Sequence, residues 1–398
     1  MAPSVAPASK LRSQRSPRPA KIDLKYLQSF TDALLGDFVH AKRIESIANA
    51  TTGVLHAASL ALHAIGASYA VISGMQAKHG VKQVDRLLSN GKFFVSEYFA
   101  PWVQYVVADR KEIVVAMDWT EFDGDKISTL CIYLVTRHGR ATPLLWKSVD
   151  KSSLKGQRNG YEDELVELLH GLLPDEIHIT LLADRGFGDQ KLYALLETLG
   201  WDYVIRFREG IAVEDASGKS APAKAWIVGA RPKMLVDAKV TEDRAAVPAV
   251  VVVHAAKMKE AWCLATSLKS NKASEVVKLY GRRFTIEETF RDQKDNHFGL
   301  GLSATHISDE RRRDRLLFLA AIAHTLLTLL GAASEETGLD RTLKVNTSSK
   351  RTHSLFRQGL HWFQAMPNMR QEWYDRLIVS FDRIVANHAF CKEIFDII

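Results

Sequence analysis

Two apolar runs constrain this chain more than any other feature, because each stops on a carboxylate. Glu112 to Asp118 reads EIVVAMD, and Glu176 to Asp184 reads EIHITLLAD. Short apolar runs rich in β-branched residues and bounded by polar ones are what buried strands look like. Ile127 to Thr136 and Ala141 to Val149 read as two further strands, joined by turns at Asp123 to Lys126 and Arg137 to Arg140. Tyr161 to Leu173 and Gln190 to Leu199 have helical periodicity, and Trp201 to Phe207 is a fifth strand. The pattern predicts an α/β core in which Asp118 and Asp184 close the first and fourth strands. An aspartate at a strand end is a weak signal by itself, so a third partner matters.

The stretch from Tyr280 to Lys294, YGRRFTIEETFRDQK, reads as one helix. At about 100° per residue, Tyr280, Arg283, Glu287 and Lys294 share an arc of roughly 60°, with Arg291 close to the same stripe. Arg283 and Glu287 alone are an ordinary i, i+4 surface pair, worth a few tenths of a kcal/mol. Four fixed identities at fixed spacing are more specific. Tyrosine, two residues, arginine, three residues, glutamate, six residues, lysine resembles the signature of the bacterial cut-and-paste DDE transposases of the insertion-sequence-four family. The likeness runs from about Ile44 to Gly359 and is strongest at 84–90, 137–142, 262–267 and 280–302.

That resemblance implies a ribonuclease H-like catalytic core with a β-rich insertion, preceded by a small all-α DNA-binding domain and followed by a helical C-terminal region. It implies that Asp118, Asp184 and Glu287 hold Mg²⁺, with Mn²⁺ able to substitute. It also gives DNA-contacting roles to Tyr280, Arg283, Lys294 and Arg206, and makes Trp262 the ring on which a flipped base stacks. The expected partners are double-stranded DNA, as terminal inverted repeats and as target, and a second copy of the chain in a DNA-bound homodimer. The expected reaction is cleavage of both strands at the element's ends, through a hairpin, and joining of the 3′ ends to new DNA, in the bacterial cytoplasm. The rival reading is a transposase-derived repressor that binds DNA without cutting it.

The residue types suit that chemistry. Cutting a phosphodiester needs a nucleophilic oxygen and stabilisation of the leaving oxygen, which two hard divalent ions can supply. Such ions take oxygen ligands. Among rival carboxylates, Glu288 lies about 100° round the helix from Glu287. Glu121, Asp123 and Asp125 fall in or toward the predicted turn, and Asp189 is placed to cap the helix that follows it.

The remaining sequence divides as follows: a disordered basic arm at 1–22, a helical DNA-binding domain at 23–110, the first part of the core at 111–207, a β-rich insertion at 208–265, the core's final helix at 266–305 and a helical region at 306–398. The net charge of +7 owes five charges to Lys10, Arg12, Arg15, Arg18 and Lys21 of the arm, so it says little about the folded part. In the helical domain Lys78, Lys82 and Arg86 recur every four residues beside Gln83, a face able to lie on a duplex with Gln83 at a base edge. Gly80 argues against an unbroken helix through them. Three scattered cysteines fit neither a disulfide framework nor a zinc site, and no glycine-rich nucleotide loop is present. Leu316 to Leu330 is apolar but only about 15 residues long, short of a membrane span. It reads as a buried core helix, with His324 a satisfied core histidine and no membrane partner. Arg341 to Arg357 is basic and free of acids, and reads either as a contact to DNA or a second subunit or as a solvated loop.

Overall fold

The computed structural model describes residues 22–121 and 126–386. The basic arm up to Lys21, the turn residues Asp123 and Asp125, and Cys391 lie outside the described residues. The chain opens with five helices, α1 (Leu24–Leu35), α2 (Ala41–Ala57), α3 (Leu62–Ile72), α4 (Ala77–Leu88) and α5 (Ser96–Val107). Helix α4 runs unbroken through Gly80, against the sequence expectation. Gly80 is buried where α3 and α4 touch, and a Cβ there would collide with the Gly66 carbonyl. The glycine marks a close helix crossing rather than a break.

The central segment follows the predicted order: β1 (Glu112–Glu121), β2 (Ile127–Val135), β3 (Ala141–Asp150), α6 (Arg158–Leu172), β4 (His178–Ala183), α7 (Gln190–Thr198) and β5 (Asp202–Phe207). Strands β1, β4 and β5 are mutually parallel, and β2 and β3 add on antiparallel beyond β1. Five more strands follow, β6 (Ala212–Glu214), β7 (Ser220–Pro222), β8 (Lys233–Val240), β9 (Ala245–Val253) and β10 (Trp262–Thr266). They do not form a separate sheet. Strand β10 pairs antiparallel with β5, so one ten-stranded sheet runs in the order β3-β2-β1-β4-β5-β10-β9-β8-β6-β7. Within the insertion, Ala223–Trp226 is a 3-10 turn that buries Trp226.

Helices α8 (Ala273–Gly281), α9 (Thr285–Lys294), α10 (Glu310–Glu336), α11 (Leu355–Ala365) and α12 (Gln371–Ala386) complete the chain. The sheet is covered on both faces. Successive strand residues point to opposite sides: Trp119 donates to Glu162 of α6 at 2.7 Å, whereas its neighbour Asp118 meets Arg283, between α8 and α9, on the other side.

The apolar helix is longer than the sequence suggested. Helix α10 has 27 residues, long and apolar enough to cross a membrane, and its apolar window is wholly buried in the fold. Its basic start serves the same packing: Arg315 donates to the carbonyls of Phe93 (2.7 Å) and Leu88 (2.6 Å), tying α10 to the N-terminal helices. A single contiguous apolar core extends from Ile22 to Ile384.

Candidate active site

Asp118 does not end its strand. β1 continues three residues further beside β2, because Trp119, Thr120 and Glu121 still pair with Leu130, Thr129 and Ser128. What ends at Asp118 is the parallel ladder: Met117 pairs with Ala183, the last residue of β4, so Asp118 and Asp184 are the next residues along two adjacent strands. There the chains part, which leaves side chains at the carboxyl ends of adjacent parallel strands, the usual place for chemistry in such sheets. Asp184 opens a 3-10 turn at Arg185–Phe187, its Oδ1 accepting the Gly186 N–H at 2.7 Å. Asp189 caps α7 by accepting from Lys191 N–H at 3.2 Å, as its position predicted.

The signature stretch is also not one helix. Tyr280 ends α8, Arg282–Phe284 is a 3-10 turn, and α9 begins at Thr285. Arg283 therefore sits in a tight corner between two helices, its side chain only 6% exposed. Its Nη1 stands 3.1 Å from Asp118 Oδ2 and its Nη2 2.5 Å from Glu287 Oε1. Phe284 supplies a ring 4.8 Å from the guanidinium carbon. Glu288, the rival, faces away and pairs with Arg291 at 3.0 Å and Arg140 at 3.6 Å.

Glu287 is held in place through the rest of α9. The Thr289 hydroxyl lies 2.8 Å from both the N–H and the carbonyl of Ala141 at the start of β3. Arg140 pairs with Asp292 at 2.7 Å. His324 stacks on Phe356 with ring centroids 4.7 Å apart, and its Nε2 is 3.7 Å from Asp292, beyond hydrogen-bond reach. It is buried as expected but is less fully satisfied than a core histidine usually is. Sequence reading missed Asp292 and Arg140 because the pair joins residues 152 apart.

Burial dominates the electrostatics of Asp118. Burial pushes the Asp118 carboxyl up to about 6; Arg283 pulls it down, and the charges of Asp184 and Glu287 push it up again. Lys294 donates to the Glu121 carbonyl at 2.7 Å and, with Asp118, Glu287, Arg291 and His297, lines an open cleft of about 600 Å³.

The other predicted contacts are distributed unevenly. Tyr280 is 1% exposed, beneath Trp262 with ring centroids 4.9 Å apart. Trp262 itself is partly exposed on β10. Arg206 and Arg185 share Glu260, at 2.7 and 3.1 Å, in a neighbouring pocket of about 550 Å³ that also holds Arg208, Lys224 and Lys259. Lys78, Lys82, Gln83 and Arg86 all lie exposed on α4, remote in sequence from the carboxylates. In the basic stretch before α11, Arg351 is committed to Glu335 by two contacts of 2.6 Å, and Lys344 pairs with Asp340 at 2.8 Å.

Among the described residues, no group of three or more His, Cys, Asp or Glu side chains is placed to hold a metal ion. Residues 153–326 match the model of the family described as the transposase DDE domain. The matched segment contains Asp184, Arg206, Trp262 and the whole 280–294 signature, and begins after Asp118. The match supports a DDE transposase, and the mixed α/β architecture fits the ribonuclease H-like core of such an enzyme. No curated protein matches the chain.

Proposed function

We propose that this chain is a DNA transposase that cuts both strands at the ends of its own insertion sequence and joins the 3′ ends to target DNA. One observation carries the reading: Asp118 and Asp184 leave adjacent parallel strands in register, and Glu287 reaches the same place through the guanidinium it shares with Asp118. Such a convergence has a cost in repulsion that a packing role does not explain. A repressor derived from such an enzyme has no use for it either.

The donor set fits hard divalent cations. Three carboxylates supply only oxygen ligands, the kind such ions take. Asp118, Asp184 and Glu287 would hold Mg²⁺, or Mn²⁺ in its place. When bound, such ions supply Lewis-acid stabilisation of charge at the scissile phosphate and acidify the attacking hydroxyl. The chain's own residues orient the strand. Lys294 and Arg291 border the cleft where phosphates would lie, and Arg283 holds Asp118 and Glu287 beside it. In the first cut a water oxygen bonds to phosphorus, the P–O3′ bond breaks, and the departing oxygen takes a proton to become the 3′ hydroxyl. That hydroxyl then attacks a phosphodiester of the opposite strand to close a hairpin: its oxygen bonds to phosphorus, the P–O3′ bond to the flanking DNA breaks, and the flank leaves as a 3′ hydroxyl carrying the proton. A second water then opens the hairpin, bonding to phosphorus and returning the free 3′ hydroxyl that is joined to target DNA.

Trp262, over Tyr280 and beside Phe284, would receive a base turned out of the duplex. Arg206 would contact the backbone next to it. The exposed α4 face with Lys78, Lys82, Gln83 and Arg86 would bind the terminal repeat, and a second copy of the chain would pair the two ends. The basic arm, the domain boundaries given above and a cytoplasmic, DNA-associated location belong to the same proposal.

Duplexes built from the inverted repeats that flank the coding region test it. Incubated with Mg²⁺, they should be nicked at the repeat boundary by the wild type and left intact by Asp118→Asn and Glu287→Gln. Tight binding without cleavage in Mg²⁺ or Mn²⁺ would replace the enzyme with the repressor.

A further inference from the structure

The loop that follows α9 is rigidly built, yet it holds a large apolar ring out in solvent. Asp295 Oδ1 accepts from the backbone N–H of His297 at 2.7 Å and of Phe298 at 2.6 Å. The carbonyls of Asp292 and Asp295 accept from Leu300 and Gly301 at 2.8 and 2.9 Å, and the Leu300 carbonyl accepts from Leu60 at 2.7 Å. Gly299 leaves no room for a side chain against the Asp292 carbonyl, and Gly301 has φ +68. At the centre of this fixed turn Phe298 is 67% exposed.

A lone exposed apolar residue needs no explanation, but the surroundings of this one are specific. The Arg357 guanidinium covers one face of the ring at 5.6 Å, and among the described residues it pairs with no carboxylate. His297, with its ring centroid 6.4 Å from that of Phe298, lines the same cleft as Asp118, Glu287, Arg291 and Lys294. Trp262 packs on Phe284 at the amino end of α9, while Phe298 follows its carboxyl end. Ten residues of helix place those ends about 15 Å apart, with Glu287 between them. Trp262 and Phe298 therefore lie beyond opposite ends of the helix that carries Glu287.

We propose that Phe298, backed by Arg357, is a stacking platform for an unpaired DNA base beyond the end of α9 away from Trp262. The inference rests on the strand-cleavage reading above. Every base offers a π face, so such a platform binds unpaired DNA without regard to sequence. The cation behind the ring strengthens the stack and adds charge next to the phosphates. Fully paired DNA keeps its bases in the helix and cannot use the ring.

The test compares full-length wild type, Phe298→Ala and Phe298→Trp. The probes are a fluorescent duplex of arbitrary sequence with a short single-stranded gap and the same duplex fully paired. The wild type should prefer the gapped probe, and Phe298→Ala should lower that preference about tenfold while binding paired DNA unchanged. Phe298→Trp should retain the preference and show indole quenching by the gapped probe alone. An unchanged preference in Phe298→Ala would overturn the platform and leave the cleavage reading standing. Failure of the wild type to bind either probe would overturn both. Phe298 is exposed, so neither variant should affect folding.

Discussion

Arg283 stands between Asp118 and Glu287, with one guanidinium nitrogen 3.1 Å from the first carboxylate and the other 2.5 Å from the second. It is the cation that lets clustered acids coexist when no metal is bound. Arg283→Gln should therefore destabilise the metal-free protein by about 2–3 kcal/mol at pH 8, toward the lower end for breaking a buried pair because Glu287 is half exposed. Added Mg²⁺ should restore much of the loss, since binding to the native state alone adds stability by mass action. Thermal unfolding with and without Mg²⁺ measures this. A loss that Mg²⁺ leaves untouched would argue against a metal site at these residues.

The α4 face can be separated into backbone and base contacts. Lys82→Gln should weaken binding to all duplexes alike and reduce the slope of log affinity against log salt by about 0.9 for the phosphate lost. Gln83→Ala should leave that slope alone and relax preference at a single base pair. Titrations at several salt concentrations decide it. Identical slopes in wild type and Lys82→Gln would remove Lys82 from the interface.

Helices α10 and α11 cross at backbone contact. A methyl at Gly331 would collide with the Leu355 carbonyl, and one at Gly359 with the Leu327 carbonyl. Gly359→Ala must push the helices apart and open the core around them, at a cost of about 2–4 kcal/mol. Chemical denaturation measures the loss. A change below about 0.5 kcal/mol would mean that the two helices pack less closely than described.

Asp314 on α10 accepts from the Ser148 N–H at 3.0 Å, and burial pushes its carboxyl up to about 7 despite that bond. A carboxyl raised in the folded state favours folding while it is protonated. That contribution is complete below about pH 4 and is lost as pH rises from there to about 7. Asp314→Asn keeps the acceptor and never ionises. It should match the wild type near pH 4 and exceed it at pH 8 by on the order of 2–4 kcal/mol. Equal stabilities at both pH values would show that the carboxylate is well solvated.

Local pattern sufficed for the strands. β-branched runs bounded by turns announced β1 to β5 within one to three residues of their observed ends, since the period of apolar residues is set by the strand itself. The same local logic identified Asp189 as a helix cap. It failed where a residue's role depends on a distant partner. Gly80 looked like a helix breaker because its partner Gly66 lies on another helix. The 280–294 stretch looked like one helix because the break at Arg282–Phe284 leaves the residue spacing intact. The insertion strands were recognisable as β, but only pairing of β10 with β5 makes them part of the central sheet.

The sequence by itself determined the kinds of element and their order, because periodicity is a property of the chain; the resemblance of 280–294 to a transposase signature is what suggested grouping Asp118, Asp184 and Glu287. Tertiary structure decided what surrounds those carboxylates. It put Asp118 at the end of a parallel ladder rather than of a strand, buried Tyr280, set Arg283 between two acids and left Phe298 in solvent beside the cleft. Each of these follows from contacts between residues remote in sequence, whose geometry exists only once the sheet and helices have packed.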